Sequence, residues 1–210
     1  MSNLLVDSQK KSRLRLEAYA ARNAQPDKDN TSRLICKTIL LLPKYQSAQT
    51  ILWYMHCRSE IRTLSLSPEI LADQSKTIII PYCTVDQHNQ PMLGLWKLNN
   101  LNELEPGMWN IPEPPKQRWA EAGKQVSAQE IDLVVVPGVA FDRNGGRLGN
   151  GKGYYDRLLA KLKGKAELVG VGYESQLFDA VPMGVNDICL DKLVTEKAIY
   201  QCHSESNLKP

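Results

Sequence analysis

Ile131-Asp132-Leu133-Val134-Val135-Val136-Pro137-Gly138 is followed, after seven intervening residues, by Gly146-Arg147-Leu148-Gly149-Asn150-Gly151-Lys152-Gly153-Tyr154-Tyr155-Asp156, and this pair of segments decides the fold. The first is a nearly unbroken run of branched apolar residues closed by Pro-Gly. It predicts a strand buried on both faces, as in a parallel sheet. The second is rich in glycine and leads into a helix predicted over Tyr154 to Leu162. Strand, glycine loop and helix in that order put the loop at the carboxyl end of a central strand, where open α/β sheets bind ligands.

Working outward, Thr50 to Met55 and Thr77 to Ile80 read as two further buried strands, the second ended by Pro81. Met92 to Leu98 reads as an edge strand and Leu168 to Val171 as another strand, with one or two more between Leu193 and Tyr200. Helices are predicted over Ser8 to Asn23, where Leu14, Ala18 and Ala21 recur at helical spacing, and over Thr31 to Leu42. Ser67-Pro68-Glu69 predicts a capped short helix to Asp73. Pro106 to Pro115, carrying Trp109, reads as a loop, and Gln117 to Gln129 as a surface helix or connector. Strands alternating with helices predict an α/β fold: one domain over residues 1–210, its mainly parallel sheet flanked by helices in a Rossmann-like three-layer arrangement.

The 210 residues suit one core, since domains commonly run to about 100–200 residues. A formal charge of +3, with scattered basic residues, does not predict nucleic acid as a partner. Cys36, Cys57, Cys83, Cys189 and Cys202 are odd in number and form no C-x-x-C pair, and His56, His88 and His203 stand apart. Neither a zinc site nor a disulfide framework is expected. Cys36 and Cys57 read as small buried hydrophobes. No apolar run approaches the roughly 20 residues that span a bilayer. Met1 to Lys10 lacks the apolar core of a signal peptide. A cytoplasmic monomer acting on small molecules, without a membrane, is the expectation.

Five glycines between Gly145 and Gly153 are costly in chain entropy unless unusual torsions or a close approach are needed. Successive amides running into a helix amino terminus hold anionic oxygens, and Arg147 and Lys152 add positive charge at the same place. The loop therefore predicts a phosphate-bearing ligand. Gly146 to Lys152 satisfies G-x-x-x-x-G-K, but Gly153 stands where a P-loop has its magnesium-holding Ser or Thr. Gly149, Gly151 and Gly153 also miss the dinucleotide spacing. Asp156, one step into the helix, is the alternative magnesium ligand. A glycine-rich turn with no ligand is the competing reading.

The stretch from Val135 to Leu158 resembles the signature of the 5-formyltetrahydrofolate cyclo-ligase family, also called methenyltetrahydrofolate synthetases. Four further islands follow the family's order: Lys11-x-x-Leu14-Arg15, Glu60-Ile61-x-Thr63, Trp109-Asn110-Ile111-Pro112-Glu113-Pro114 and Asn186-Asp187. Lys152 stands where many bacterial members have glycine, and Asn186 where many have histidine.

The resemblance implies an ATP-dependent ligase that uses MgATP to cyclise 5-formyltetrahydrofolate to 5,10-methenyltetrahydrofolate, by phosphorylation of the formyl oxygen and attack by N10. It implies nucleotide contacts from Lys11, Ser12, Arg13, Leu14 and Arg15 and from the loop Arg147, Leu148, Gly149, Asn150, Gly151, Lys152, Gly153, Tyr154 and Tyr155. Folate contacts are implied for Arg15, Met55, Glu60, Trp109, Asn150, Gly151, Lys152, Gly153 and Tyr154. Magnesium would lie at Asp156 and Asp187. Arg147, Lys152 and Tyr154 are the catalytic candidates. Which of Tyr154 and Tyr155 faces the folate is left open. The rival readings are a sugar-phosphate isomerase or CoA-transferase-like enzyme on a similar scaffold, and a non-catalytic nucleotide- or folate-binding regulator.

Overall fold

The computed structural model describes residues 2–202; Met1 and residues 203–210, His203 among them, lie outside the described residues. Its centre is a seven-stranded sheet made of β1 (Thr50–Leu52), β2 (Thr77–Val85), β3 (Pro91–Leu98), β4 (Leu133–Pro137), β5 (Glu167–Val171), β6 (Lys192–Val194) and β7 (Ile199–Gln201). Their spatial order is β7-β6-β5-β4-β1-β2-β3. The five inner strands run parallel, whereas β3 and β7 close the two edges antiparallel. The decisive Val-rich stretch is thus the middle strand.

Its residues alternate between two cores. Leu133 and Val135 join the side covered by α2 (Lys28–Leu40), α3 (Pro43–Ser47) and α4 (Ser67–Ala72). Val134 and Val136 join the side covered by α5 (Tyr154–Leu162), through Leu158, Leu159 and Leu162. Period-2 alternation along a strand with apolar residues on both faces is what a sandwiched parallel sheet requires. The first helix, α1 (Ser2–Ala24), lies on neither face. Its Leu14 and Ala18 pack with Val139, Ala140, Leu148 and Val181 beyond the carboxyl end of β4.

Several boundaries depart from the sequence expectation, α1 beginning at Ser2 rather than Ser8 and α2 spanning Lys28–Leu40 rather than Thr31 to Leu42. Thr50 to Met55 forms a strand only to Leu52, although Trp53, Tyr54 and Met55 stay buried. Pro81 does not end the second strand, which runs on to Val85. The Ile79 carbonyl accepts from the Trp53 N–H at 2.8 Å, so odd-numbered positions of β2 face β1. At Pro81 β1 has already ended, and no ladder bond needs the missing N–H. Ser67 opens α4 but does not cap it. A 3₁₀ turn over Thr63–Leu66 runs straight into the helix, and the Ser67 hydroxyl donates back to the Thr63 carbonyl. The charged segment near residues 117–129 is a connector with two short 3₁₀ turns, and it buries Lys124 against Glu103.

Candidate active site

The carboxyl ends of β1, β2 and β4 deliver Tyr54 and Met55, Pro81 and Cys83, and Pro137 and Gly138 to one cleft of about 520 Å³. Helix α1 crosses one wall with Lys11, Arg15, Tyr19 and Arg22, and the glycine loop forms another. The glycines divide into two groups. Gly145 and Gly146 belong to a tight hairpin joining Ala140–Phe141 to Arg147–Leu148, where the buried Asp142 carboxylate accepts from the Gly146 N–H at 2.8 Å and the Val181 N–H at 2.7 Å. Gly149, Gly151 and Gly153 line the cleft. Gly151 and Gly153 take φ of 83° and 68°, a region that glycine enters without a side-chain clash. Gly153 is the N-cap of α5 and offers no side chain, so the first-turn amides of the helix stay open to a ligand anion.

Charged side chains of both signs converge on this loop. Arg147, almost wholly buried, donates to Asp156, and Lys11 pairs with Asp187. Burial alone would raise the Asp187 carboxyl, but Lys11, the Gly184 N–H and the nearby Arg147 charge hold it below the ordinary range. The Arg15 Nε donates to the Gly149 carbonyl at 2.9 Å, and the Tyr19 hydroxyl meets the Asn150 side chain. The Nε of Arg147 is buried without a partner among the described residues. A buried, unsatisfied guanidinium donor is expensive unless a ligand oxygen reaches it. No group of three or more His, Cys, Asp or Glu side chains gathers among the described residues. Two carboxylates on one cleft nevertheless suit Mg²⁺, which keeps waters and takes phosphate oxygens for the rest of its shell.

The same cleft is also lined by the apolar and aromatic side chains of Met55, Leu93, Trp109, Ile111 and Tyr154 and by the half-buried Glu60. Burial pushes the Glu60 carboxyl up, opposed by a hydrogen bond from the Cys57 N–H at 2.9 Å and by the charge of Arg22. Trp109 and Asn110 both adopt left-handed torsions, φ 58° and 61°, in the turn that leaves Trp109 50% exposed at the rim. Buried Glu113 holds that turn, accepting from the Met108 and Cys83 amides. Cys83 is pushed up to about 11, first by burial and then by Glu113, so its thiol stays protonated at neutral pH.

The structure brings Lys11, Arg15, Met55, Glu60, Trp109, Arg147, the whole run Leu148 to Tyr155, Asp156 and Asp187 to the cleft. It does not bring Ser12, Arg13 or Leu14 there. Ser12 and Arg13 are solvent-exposed, the Ser12 hydroxyl bonding back to the Ser8 carbonyl, and Leu14 packs in the core beneath. Tyr155 packs against both cores and under Arg147, whereas Tyr154 reaches across to the Cys83 side chain. Cys36 is in the core as expected, but Cys57 is a cleft residue, because the chain leaves the sheet before reaching it. Sequence reading missed Tyr19, Arg22 and Arg58. For the first two a signal existed: positions 11, 15, 19 and 22 fall on one helical face.

Residues 7–196 match the 5-formyltetrahydrofolate cyclo-ligase family. The Schizosaccharomyces pombe protein named "Probable 5-formyltetrahydrofolate cyclo-ligase" is 30% identical over 210 residues, covering 92% of this chain and 98% of its own. The Arabidopsis thaliana "5-formyltetrahydrofolate cyclo-ligase, mitochondrial" is 30% identical over 184 residues, 79% of this chain and 65% of its own length. Among solved structures, the Aquifex aeolicus 5,10-methenyltetrahydrofolate synthetase superposes with a TM-score of 0.75 at 32% identity, over 91% of this chain and 92% of that one. The match to the family across nearly the whole chain, together with a cleft that unites the glycine loop with the four other motif islands, establishes that this chain belongs to the 5-formyltetrahydrofolate cyclo-ligase family.

Proposed function

We propose that the chain catalyses the ATP- and Mg²⁺-dependent closure of 5-formyltetrahydrofolate to 5,10-methenyltetrahydrofolate, releasing ADP and phosphate. The observation that carries this reading is one cleft that gathers two kinds of lining. It holds open helix amides, Lys11, Arg15, Arg147 and Lys152, which suit a triphosphate, together with aromatic and apolar side chains and the Glu60 carboxylate, which suit a flat heterocycle.

A formamide is a poor electrophile and its oxygen a poor leaving group. In the proposed sequence the formyl oxygen attacks the γ-phosphorus and ADP departs. The N10 lone pair then adds to the formyl carbon, N10 gives up its proton, and the C–O bond breaks to release phosphate. Little covalent work falls to the protein, which positions the reactants and neutralises charge. Arg147 and Lys152 would neutralise the transferring phosphoryl group, and loop amides from Gly149 to Gly153 would fix the triphosphate. Asp156 and Asp187 would hold Mg²⁺, which when bound supplies charge neutralisation at the phosphates. Glu60 would accept ring N–H donors of the pterin, with Met55, Trp109 and Tyr154 packed on its faces. Tyr154, rather than Tyr155, is assigned to the folate, because Tyr155 is engaged with the core.

The partners are therefore ATP and the folate, bound by a monomer. The five free thiols suit a reducing compartment, for which we propose the cytoplasm; fractionation separates this from a mitochondrial address. The test of the reaction is direct. Protein, 5-formyltetrahydrofolate, Mg²⁺ and ATP should yield the strongly absorbing methenyl product, and omission of either Mg²⁺ or ATP should abolish it. Product formed without ATP would favour the isomerase or transferase rivals, and binding of both ligands without product would favour a regulator.

A further inference from the structure

Arg22 is a cation that the proposed chemistry leaves unused. It is 2% exposed, yet it lines the cleft. Its Nε donates to the Ser59 hydroxyl at 3.1 Å, one of its terminal nitrogens donates to the Gly138 carbonyl at 3.2 Å, and its plane stacks on Tyr19 at 5.0 Å. These contacts fix the guanidinium in place. Among the described residues no acceptor takes the remaining terminal nitrogen, and no carboxylate forms an ion pair with Arg22. Glu60 follows Ser59 directly, and it too lines the cleft without a cation bound to it. A carboxylate that accepts thus stands beside a guanidinium that donates, each with an edge left for a ligand.

That pairing has a chemical complement. The edge of a 2-amino-4-oxo pyrimidine ring presents two N–H donors, from the 2-amino group and N3, followed by one acceptor, the C4 oxygen. A carboxylate takes the two donors, and a neighbouring arginine donates to the oxygen. Building on the folate reading above, we infer that Arg22 is a specificity-determining residue that donates to the C4 oxygen of the pterin while Glu60 accepts from N3 and the 2-amino group. The rigidity of Arg22 is the point of its burial, since a pre-placed donor loses little freedom on binding.

The test uses binding without ATP, so turnover is not required. The probes are folic acid and its 4-thio analogue, which keeps both N–H donors but replaces oxygen by a poorer acceptor. Wild type should bind the oxo ligand more tightly than the thio ligand. Arg22→Gln should weaken the oxo ligand by about ten- to a hundredfold, the range for a hydrogen bond from a charged donor, and the thio ligand by much less. ATP affinity, read on the same variant, should not change. An equal loss for both ligands, or no loss for either, overturns the inference in favour of a purely structural arginine. Should Arg22→Gln fail to fold, the wild type alone decides, because equal affinities for oxo and thio ligands refute donation to C4. Failure of wild type to bind either folate while binding ATP would instead overturn the folate reading itself.

Discussion

Asp142→Asn is expected to be among the most damaging single-atom changes in the molecule. The carboxylate is 4% exposed. One oxygen accepts from the Asn144 N–H at 2.9 Å and the Gly146 N–H at 2.8 Å, and the other accepts from the Val181 N–H at 2.7 Å. Asparagine keeps one acceptor and turns the other into a donor facing an N–H. If the amide oxygen serves the hairpin, the Val181 amide is orphaned in a buried place at a cost of about 1–3 kcal/mol. The two surviving bonds also lose their charge assistance, adding about 1 kcal/mol. The sum of about 2–4 kcal/mol is a large part of a typical total of about 5–15 kcal/mol. Denaturant unfolding should show a lower midpoint with an unchanged slope, and the melting temperature should fall by roughly 5–15 °C. Asp86 is an internal control. It accepts from the His88 and Gln90 amides at 2.8 and 2.9 Å in the same manner, but in an exposed turn. Water can replace those bonds, so Asp86→Asn should cost no more than about 0.5–1 kcal/mol. Equal destabilisation by the two variants, or a loss below about 0.5 kcal/mol at Asp142, would refute the reasoning.

Three further expectations concern the cleft. Because burial raises the Glu60 carboxyl, its ionised form is lost on acidification earlier than that of an ordinary carboxylate, so folate affinity should decline as pH falls; a wild-type dissociation constant that does not rise on acidification, or a Glu60→Gln profile that keeps the wild-type dependence, counts against it. Asp187 occupies Lys11 as an internal anion, so Asp187→Asn should tighten metal-free ATP while weakening the gain on adding Mg²⁺; equilibrium dialysis with and without chelator would expose the error if both affinities fell. Lys152 is exposed on the cleft with no ion pair among the described residues, so Lys152→Ala should lower kcat and ATP use by about tenfold or more without unfolding the chain or weakening folate binding; unchanged kinetics would remove it from the mechanism.

The central strand, the glycine loop and α5 were legible because each carries its own local signal: branched apolar density, glycine clustering and helical period. The helix boundaries Tyr154 and Leu162 fall where the sequence places them. Pro81 misled because a strand's need for each N–H depends on where its neighbour stops, which is a tertiary fact. The same holds for Cys57, whose apolar surroundings in sequence do not reveal that the chain has left the sheet. The cation at position 22 was missed for a different reason. Lys11 and Arg15 lie in a motif of the family, whereas Tyr19 and Arg22 continue the same helical row outside any motif. Ser12, Arg13 and Leu14 were included because they sit inside a motif, but a helix turns neighbours away from one another by about 100° each.

Helix α1 has a consequence for the order in which the molecule matures. The partner of its Lys11, Asp187, lies 176 positions later in the chain, and that of its Arg15, Gly149, lies 134 positions on. Contacts of such long range close late, after the loop-entropy cost has been met by the sheet. The strands from β1 to β5 all precede Asp187 in the chain, so most of the sheet can pair before the nucleotide seat is complete.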